Sequence, residues 1–481
     1  MVTNSASTIA SNTQVTILQS VFNKQKRAFT RSPIPTAKER IINLDKLRKG
    51  LVKYNSALIQ AMSEDFGNRP KDASTLNDIM ICIESIKYQS KQLKKWMKPT
   101  KPHVNIKLQP VMARVYYQPK GVVGIMSPWN FPVSLSISPL ITALAAGNSA
   151  IIKPSEYTPR TAQVLRTMIE EIFQSDHVAV ILGDMAVGIE FTQTPFDHLI
   201  FTGSTAVGKH VMKAAAENLT PVTLELGGKS PAIISKDVSM KGTVERLLYG
   251  KTTNSGQICV APDYVLCPKN RIEELVSNCK EVTEKFYPTI KNNPDYTSII
   301  NDAQYQRLVG LIADAKEKGG EIIEINPGND QLDPSARKLP LTLILNPTED
   351  MICMQEEIFG PVLPIMICEN IDEALDYIRE RPRPLALYYF GYNKAEQRKM
   401  VNSSISGGMC LNDTINHFAI DSMPFGGTGS SGMGNYHGFD GFKELSHAKS
   451  VLTRPRFNSM SFLYPPYNRF FHRMIRKFLV N

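Results

Sequence analysis

Apolar positions in the first hundred residues recur with a helical period. Leu44, Leu47, Leu51, Tyr54 and Leu58 fall on one face, and no proline interrupts the run between Pro35 and Pro70, so residues 14–98 are expected to be mostly helical. From about residue 121 the pattern changes to short β-rich runs separated by helical stretches. Gly121–Met126, Ala150–Lys153, Val178–Leu182, His198–Phe201 and Val222–Leu226 read as strands, with helices over Pro159–Phe173 and Thr205–Asn218. Such alternation predicts a parallel sheet with right-handed crossovers. A second alternating block runs from Pro231 to about Leu411. The most apolar stretch, 121–152, is broken by Pro128, Asn130, Pro132 and Pro139. A membrane span needs about 20 uninterrupted apolar residues, so this stretch reads as buried strand, loop and helix.

Composition narrows the class. The 481 residues are 42% hydrophobic and 21% charged, ordinary values for a soluble globular chain of two or three domains. Seven scattered cysteines without a CxxC pair fit a reducing, cytoplasmic setting, and suit neither a disulfide framework nor a metal site. The N-terminus does not read as a signal peptide. Net charge is +10, but the lysine run from Lys87 to Lys107 holds only Tyr88 and Trp96 as aromatics, so it reads as a solvated helix face and no nucleic-acid partner is expected.

The candidate chemistry is concentrated in a few motifs. Thirty-four positions separate Glu225, at the end of a strand-like run before Gly227-Gly228, from Cys259 in the polar loop Asn254-Ser255-Gly256-Gln257-Ile258-Cys259. A free thiol, with a pKa of about 8.5, is only a few per cent thiolate at neutrality. A neighbouring carboxylate that moves protons is one means of activating it. Upstream, Phe201-Thr202-Gly203-Ser204-Thr205-Ala206-Val207-Gly208 joins a strand to a helix, the setting in which backbone N–H groups meet dinucleotide phosphates. It is not GxGxxG, and taken alone it reads first as a simple tight turn before a helix. Lys153-Pro154-Ser155-Glu156 ends another strand, where ligands of open α/β sheets bind. A carboxylate at Glu156 disfavours a 2′-phosphate and so points to NAD, with NADP remaining open.

Seven blocks in order make the chain resemble the aldehyde dehydrogenase family over about residues 15–460. They are Ser127–Pro132, Lys153–Glu156, Thr202–Gly208, Glu225–Gly228, Gly256–Cys259, Glu356–Pro361 and Pro424–Gly427. Within the family the chain is most similar to the class 3 branch, which includes fatty aldehyde and bacterial coniferyl aldehyde dehydrogenases. Ser430–Gly434, Tyr436-His437-Gly438 and Cys259–Tyr264 carry that similarity, with Arg454–Phe457 and Leu463–Tyr467.

The resemblance implies an α/β fold with a Rossmann-type NAD(P)-binding domain (1–104 and 119–227, with 425–447 packing back on it) and an α/β catalytic domain (228–424). It also implies a β oligomerisation arm (105–118 and 448–460) and a homodimer. Cys259 would attack the aldehyde to give a thiohemiacetal, Asn130 would hold the oxyanion, and Glu225 would activate the water that hydrolyses the thioester. Trp129, Lys153, Glu156, Gly203, Ser204, Gly208, Glu357 and Phe359 match the cofactor site. The reaction implied is NAD(P)-dependent oxidation of a hydrophobic aldehyde, coniferyl-type aromatic or medium-to-long aliphatic, to its acid. The alternative is a non-catalytic structural or binding protein that keeps the fold. His437 reads as structural.

The basic tail 461–481 stands apart. Phe470, Phe471, Met474, Ile475, Phe478 and Leu479 oppose Arg469, His472, Arg473, Arg476 and Lys477 on a short amphipathic helix over 467–481. Docking onto protein is one reading of this pattern. Peripheral, reversible contact with an anionic membrane is the other.

Overall fold

The computed structural model of the chain describes residues 2–105, 108–456, 458 and 461–479. Helices Val2–Arg31, Ala37–Phe66 and Ile81–Trp96 occupy the N-terminal region. The second begins where Thr36 and Glu39 form a capping box and stops at Gly67 in a left-handed conformation (φ 83°), the usual chemistry of a helix start and stop. Leu44, Leu47, Leu51 and Leu58 are fully buried in the core beneath this helix. Just before the third helix lies a π-helical turn, Thr75–Met80, which the hydrophobic period did not foreshadow.

The first sheet strand, β1 (Met112–Pro119), leaves the main body, and a parallel sheet follows it. Its strands are β2 (Val122–Met126), β3 (Ser149–Lys153), β4 (Val178–Val180), β5 (His198–Thr202) and β6 (Val222–Glu225), in the order β4-β3-β2-β5-β6. Helices Pro159–Ile172 and Thr205–Ala216 cross between them. Parallel strands covered on both faces lack an in-out alternation, which is why these were legible as continuous apolar runs.

The second sheet comprises β7 (Pro231–Ile234), β8 (Tyr264–Cys267), β9 (Glu321–Ile325), β10 (Leu341–Leu345), β11 (Val362–Ile367), β12 (Ala386–Phe390) and β13 (Gly408–Leu411). Their order is β13-β12-β7-β8-β11-β10-β9, parallel except for the edge strand β9. The chain then returns to the first sheet. The two-residue β14 (Gly432–Met433) pairs antiparallel with β6, Gly432 opposite Glu225. Strand β15 (Ser446–Thr453) pairs antiparallel with β1 over eight residues, from Met112↔Thr453 to Pro119↔Ser446, as a separate two-stranded ribbon. Of the arm anticipated at 105–118 and 448–460, residues 106–107, 457 and 459–460 lie outside the described residues, as do 480–481 of the tail.

The tail forms the helix Phe470–Leu479, with Phe470 and Phe478 exposed. Among the described residues no helix is long and apolar enough to cross a membrane.

Candidate active site

Cys259 follows a short 3₁₀ turn in which Asn254 (φ 52°), Ser255 (φ 51°) and Gly256 (φ 73°) are successively left-handed. For non-glycine residues this backbone is costly and persists only where the surroundings enforce it. Here the enforcement is visible. Gln257 Nε2 donates to Asn254 O (2.9 Å) and Ser298 O (3.2 Å), Ile300 N donates to Gln257 Oε1 (3.0 Å), and Ser255 Oγ donates to Thr297 O. A Cβ at residue 256 would come within 2.4 Å of Gly360 O. The loop is therefore rigid, and it holds Cys259 half-buried. Burial first, then the fields of Glu357 and Glu225, push the thiol up to about 12.

Asn130 lies against this loop, 3% exposed. Its Nδ2 donates to Gln257 O at 3.1 Å; an amide nitrogen has two hydrogens, so one stays free for a ligand. Its carbonyl accepts from Arg69 Nη1 (3.0 Å) and Asn254 Nδ2 (3.1 Å). Arg69 in turn pairs with Asp78 of the π-turn at 2.6 Å, both side chains essentially unexposed. The other oxygen of Asp78 accepts from Val133 N (3.2 Å) and Ser134 N (2.8 Å) at the start of the helix Ser134–Ala146. One buried ion pair thus joins Asn130, the π-turn and a helix N-terminus. Nothing in the local sequence signals Arg69, which acts at a distance of 61 positions.

Glu225 ends β6, fixed on both sides by backbone: Gly203 N donates to its carbonyl (3.0 Å), and Leu226 N donates to Ser431 O (3.0 Å). Its carboxylate is 3% exposed and neither oxygen has a partner. Burial holds it well above the usual carboxylate range. Glu357 is raised to about 8, by burial first and by the charge of Asp263 next. Its carboxylate lies against Gly227, where a Cβ would fall 2.0 Å from Oε2.

The segment carrying Glu357 and Phe359 is clamped from below. Asp263 Oδ1 accepts from Ile358 N (2.9 Å). Lys229 pairs with Asp263 and donates to Cys353 O (2.6 Å) and Glu356 O (3.0 Å). Arg307 Nη2 donates to Ile358 O (2.6 Å). Phe359, itself left-handed (φ 51°), meets the Trp129 ring edge-on with centroids 5.3 Å apart. Asp263 stood within a recognised motif, but its clamping of a segment 95 positions away had no sequence signal.

These groups meet in two spaces. A cleft of about 1230 Å³ is bordered by Trp129, Asn130, Gly203, Ser204, Glu225, Glu357 and Phe359, and it reaches Cys259. A second pocket, of about 590 Å³ and mostly apolar, also reaches Cys259. Eight of the eleven anticipated site residues thus border the cleft, Cys259 among them and common to both spaces, and the remaining three do not line it. Lys153 and Glu156 are bonded to each other (2.8 Å) at the end of β3. Gly208 faces the sheet, and a Cβ there would come within 2.6 Å of Leu226, so its contribution is to seat the helix. That helix, Thr205–Ala216, is capped by Ser204, whose Oγ accepts from Val207 N. Its N-terminus opens on the cleft and offers N–H groups to an anion.

The profile of the aldehyde dehydrogenase family matches residues 4–451. The chain belongs to the aldehyde dehydrogenase family. It is similar to a "Probable coniferyl aldehyde dehydrogenase" of Pseudomonas aeruginosa, 51% identical over 470 residues and covering 98% of each chain. Among solved structures it is similar to the "Substrate bound state of Staphylococcus Aureus AldH", with TM-score 0.90 and 38% identity over 96% of this chain and 99% of that one. It is also similar to a betaine aldehyde dehydrogenase of Staphylococcus aureus in complex with NAD+, with TM-score 0.82 and 26% identity over 92% and 89%. The protein is an oxidoreductase acting on aldehydes, with a nicotinamide cofactor. The residues present fit that group: a capped helix N-terminus for phosphates, an aromatic pair, and a carboxylate seated on a glycine backbone, all on one cleft.

Proposed function

We propose that this aldehyde dehydrogenase oxidises coniferyl-type aromatic aldehydes, with medium-to-long aliphatic aldehydes as the second substrate class, to carboxylic acids through a Cys259 thioester. The observation that carries the reading is the double exposure of Cys259, to an apolar pocket on one side and the larger cleft on the other. The coniferyl assignment is supported by the Pseudomonas aeruginosa relative.

Attack by Cys259 Sγ on the carbonyl carbon forms a C–S bond and leaves the oxygen negative. The free Nδ2 hydrogen of Asn130 and the Cys259 backbone N–H then stabilise the oxyanion, each donor of this kind contributing about 3 kcal/mol. With its thiol raised to about 12, Cys259 must surrender a proton as it attacks, and the partnerless carboxylate of Glu225 is the group suited to relay it. The bound nicotinamide would supply the hydride acceptor, held by Glu357, Phe359 and Trp129 with Ser204 and the helix behind it. In the last step Glu225 takes a proton from water, the hydroxyl adds to the thioester carbon, and the C–S bond breaks to release the acid. NAD is the preferred cofactor in this reading, because Glu156 stands beside Lys153 where a 2′-phosphate would meet its charge.

We further propose that the chain divides into the cofactor-binding and catalytic domains described above, and that the β1–β15 ribbon joins two copies. The outward Met112 and Leu452, both more than half exposed, support the pairing. The tail helix, with its cationic and aromatic faces, is proposed to touch anionic membrane. Nicotinamide reduction followed with coniferyl aldehyde, benzaldehyde and decanal, with NAD and with NADP, tests the function. Turnover must vanish in Cys259→Ala; activity retained in that variant overturns the mechanism.

A further inference from the structure

Ile415 is the one β-branched residue among the described residues that holds a positive φ (45°, with ψ −28°). A second branch on Cβ crowds the backbone in that region, so such a residue is a true outlier. Asn416 N donates to Thr414 O across it, which makes Ile415 the centre of a γ-turn of the rare, strained hand. The strain persists because both flanks are tied down. Thr414, fully buried, donates from Oγ1 to Arg246 O (2.7 Å), and a Cβ on Gly250 would lie 2.5 Å from that hydroxyl. Arg246 Nη1 returns a bond to Asn412 O (3.0 Å). On the other side, Asn416 Nδ2 donates to Asp413 Oδ2 (2.9 Å), and His417 Nδ1 lies 3.1 Å from Cys410 Sγ.

Backbone strain enforced in this way clusters where a side chain must stand in one place. The place here is the apolar pocket, which Ile415 lines together with Ile258, Cys259 and Val260. The buried Tyr388 hydroxyl shows at which end. It donates to Val260 O; burial raises its pKa most, and the Ile415 backbone at its oxygen draws it partly back. Val260 follows Cys259 directly, so the γ-turn presents Ile415 at the thiol end of the pocket. With a relaxed backbone the Cβ would leave in another direction, and the branch would not stand there.

We propose that Ile415 is the residue by which this enzyme selects aldehydes that are flat and unbranched at the carbon next to the carbonyl. The inference rests on the reading that the apolar pocket receives the aldehyde, and it adds what limits the pocket's width beside the sulfur. When Cys259 Sγ holds the carbonyl carbon, the neighbouring carbon of the substrate is the first to enter the pocket. Conjugation keeps that carbon flat, whereas a methyl branch adds volume where Ile415 already stands. One surplus methyl in a close-packed pocket is enough for selection.

The test compares kcat/KM for cinnamaldehyde and for α-methylcinnamaldehyde in wild type, Ile415→Gly, Ile415→Ala and Ile415→Val, with Cys259→Ala as the control and melting temperatures measured alongside. Wild type should prefer cinnamaldehyde by about tenfold or more. The glycine and alanine variants should each shrink that preference by about tenfold, and valine, which keeps the branch, should retain most of it. Stability reads the turn itself. Alanine is ordinarily more stable than glycine at a given position, and here the order should reverse, because alanine keeps a Cβ at positive φ. A wild type without the preference, or a preference equal in all four proteins, overturns the inference while the thioester mechanism stands. Glycine melting below alanine overturns it as well, since the turn would then hold no strain. Variants that alter KM for the nicotinamide cofactor and leave both aldehydes alone overturn the placing of the aldehyde in this pocket, and turnover in Cys259→Ala overturns the mechanism beneath.

Discussion

Replacing Asp78 with alanine should destabilise this enzyme more than almost any other single truncation. The change leaves Arg69 with an unpaired charge at a fully buried position, a situation that costs about 3–5 kcal/mol. It also removes the acceptor from Val133 N and Ser134 N, two buried donors at about 1 kcal/mol or more each. The total, about 5–7 kcal/mol, is comparable with the whole stability of many domains. Guanidinium unfolding followed by tryptophan fluorescence reads the loss, since Trp96 belongs to the same core as the helix Asp78 caps. Removing both charges, as Arg69→Met with Asp78→Leu, should recover several of those kcal/mol, because no unpaired ion remains. Glu171→Ala, which breaks the exposed Lys53–Glu171 pair, should leave the midpoint where it was. A loss below about 2 kcal/mol in Asp78→Ala, or a double variant no better than the single one, would refute the assignment of this pair as the anchor of Asn130.

Other consequences can be measured directly. Glu225→Gln should slow steady-state turnover by about 10²–10⁴-fold and, because Glu225 relays the Cys259 proton, slow the first turnover of nicotinamide reduction too; normal turnover in this variant contradicts the base assignment. Because burial raises Glu225 and Cys259, turnover should climb as pH rises above neutrality, and a flat profile from pH 6 to 10 counts against their proton exchange. Glu357, with an ordinary value of 4.5, is raised to about 8 in the folded enzyme. The native state therefore holds its proton more tightly than the unfolded chain, and the stability this lends is complete below about 4.5 and lost as pH rises through 8. Glu357→Gln should thus be more stable than wild type at pH 9 but not at pH 4.5 by calorimetry; an equal difference at both pH values would sink the explanation. Full-length enzyme should float with phosphatidylserine vesicles and a 1–465 truncation should not, and equal flotation of the two removes the tail from the account.

The parts legible in the sequence are those whose causes are local. Strands β2 to β6 announced themselves because a two-sided burial demands unbroken apolar runs, and the helix over 37–66 because its leucines keep one face. Cys259, Glu225 and Asn130 stood out as candidates because short motifs surround each of them. The unforeseen parts depend on pairing across the fold. Strand β14 is two residues long and contains a glycine, so no propensity marks it; it exists because Gly432 can approach Leu224 O, where a Cβ would lie 2.0 Å away. The π-turn at 75–80 earns its place through Asp78, whose partners lie at positions 69, 133 and 134. Gly208 matched a phosphate motif and yet faces Leu226, because the motif records helix packing as much as ligand contact.

Cys259 borders two spaces rather than one, and this governs traffic. With the aldehyde in the apolar pocket and the dinucleotide in the cleft, as proposed, the two would approach Cys259 from separate spaces, and neither would have to wait for the other to clear a shared corridor. A bulky compound wedged on the aldehyde side would then leave the dinucleotide's route open, and more cofactor would not outcompete it.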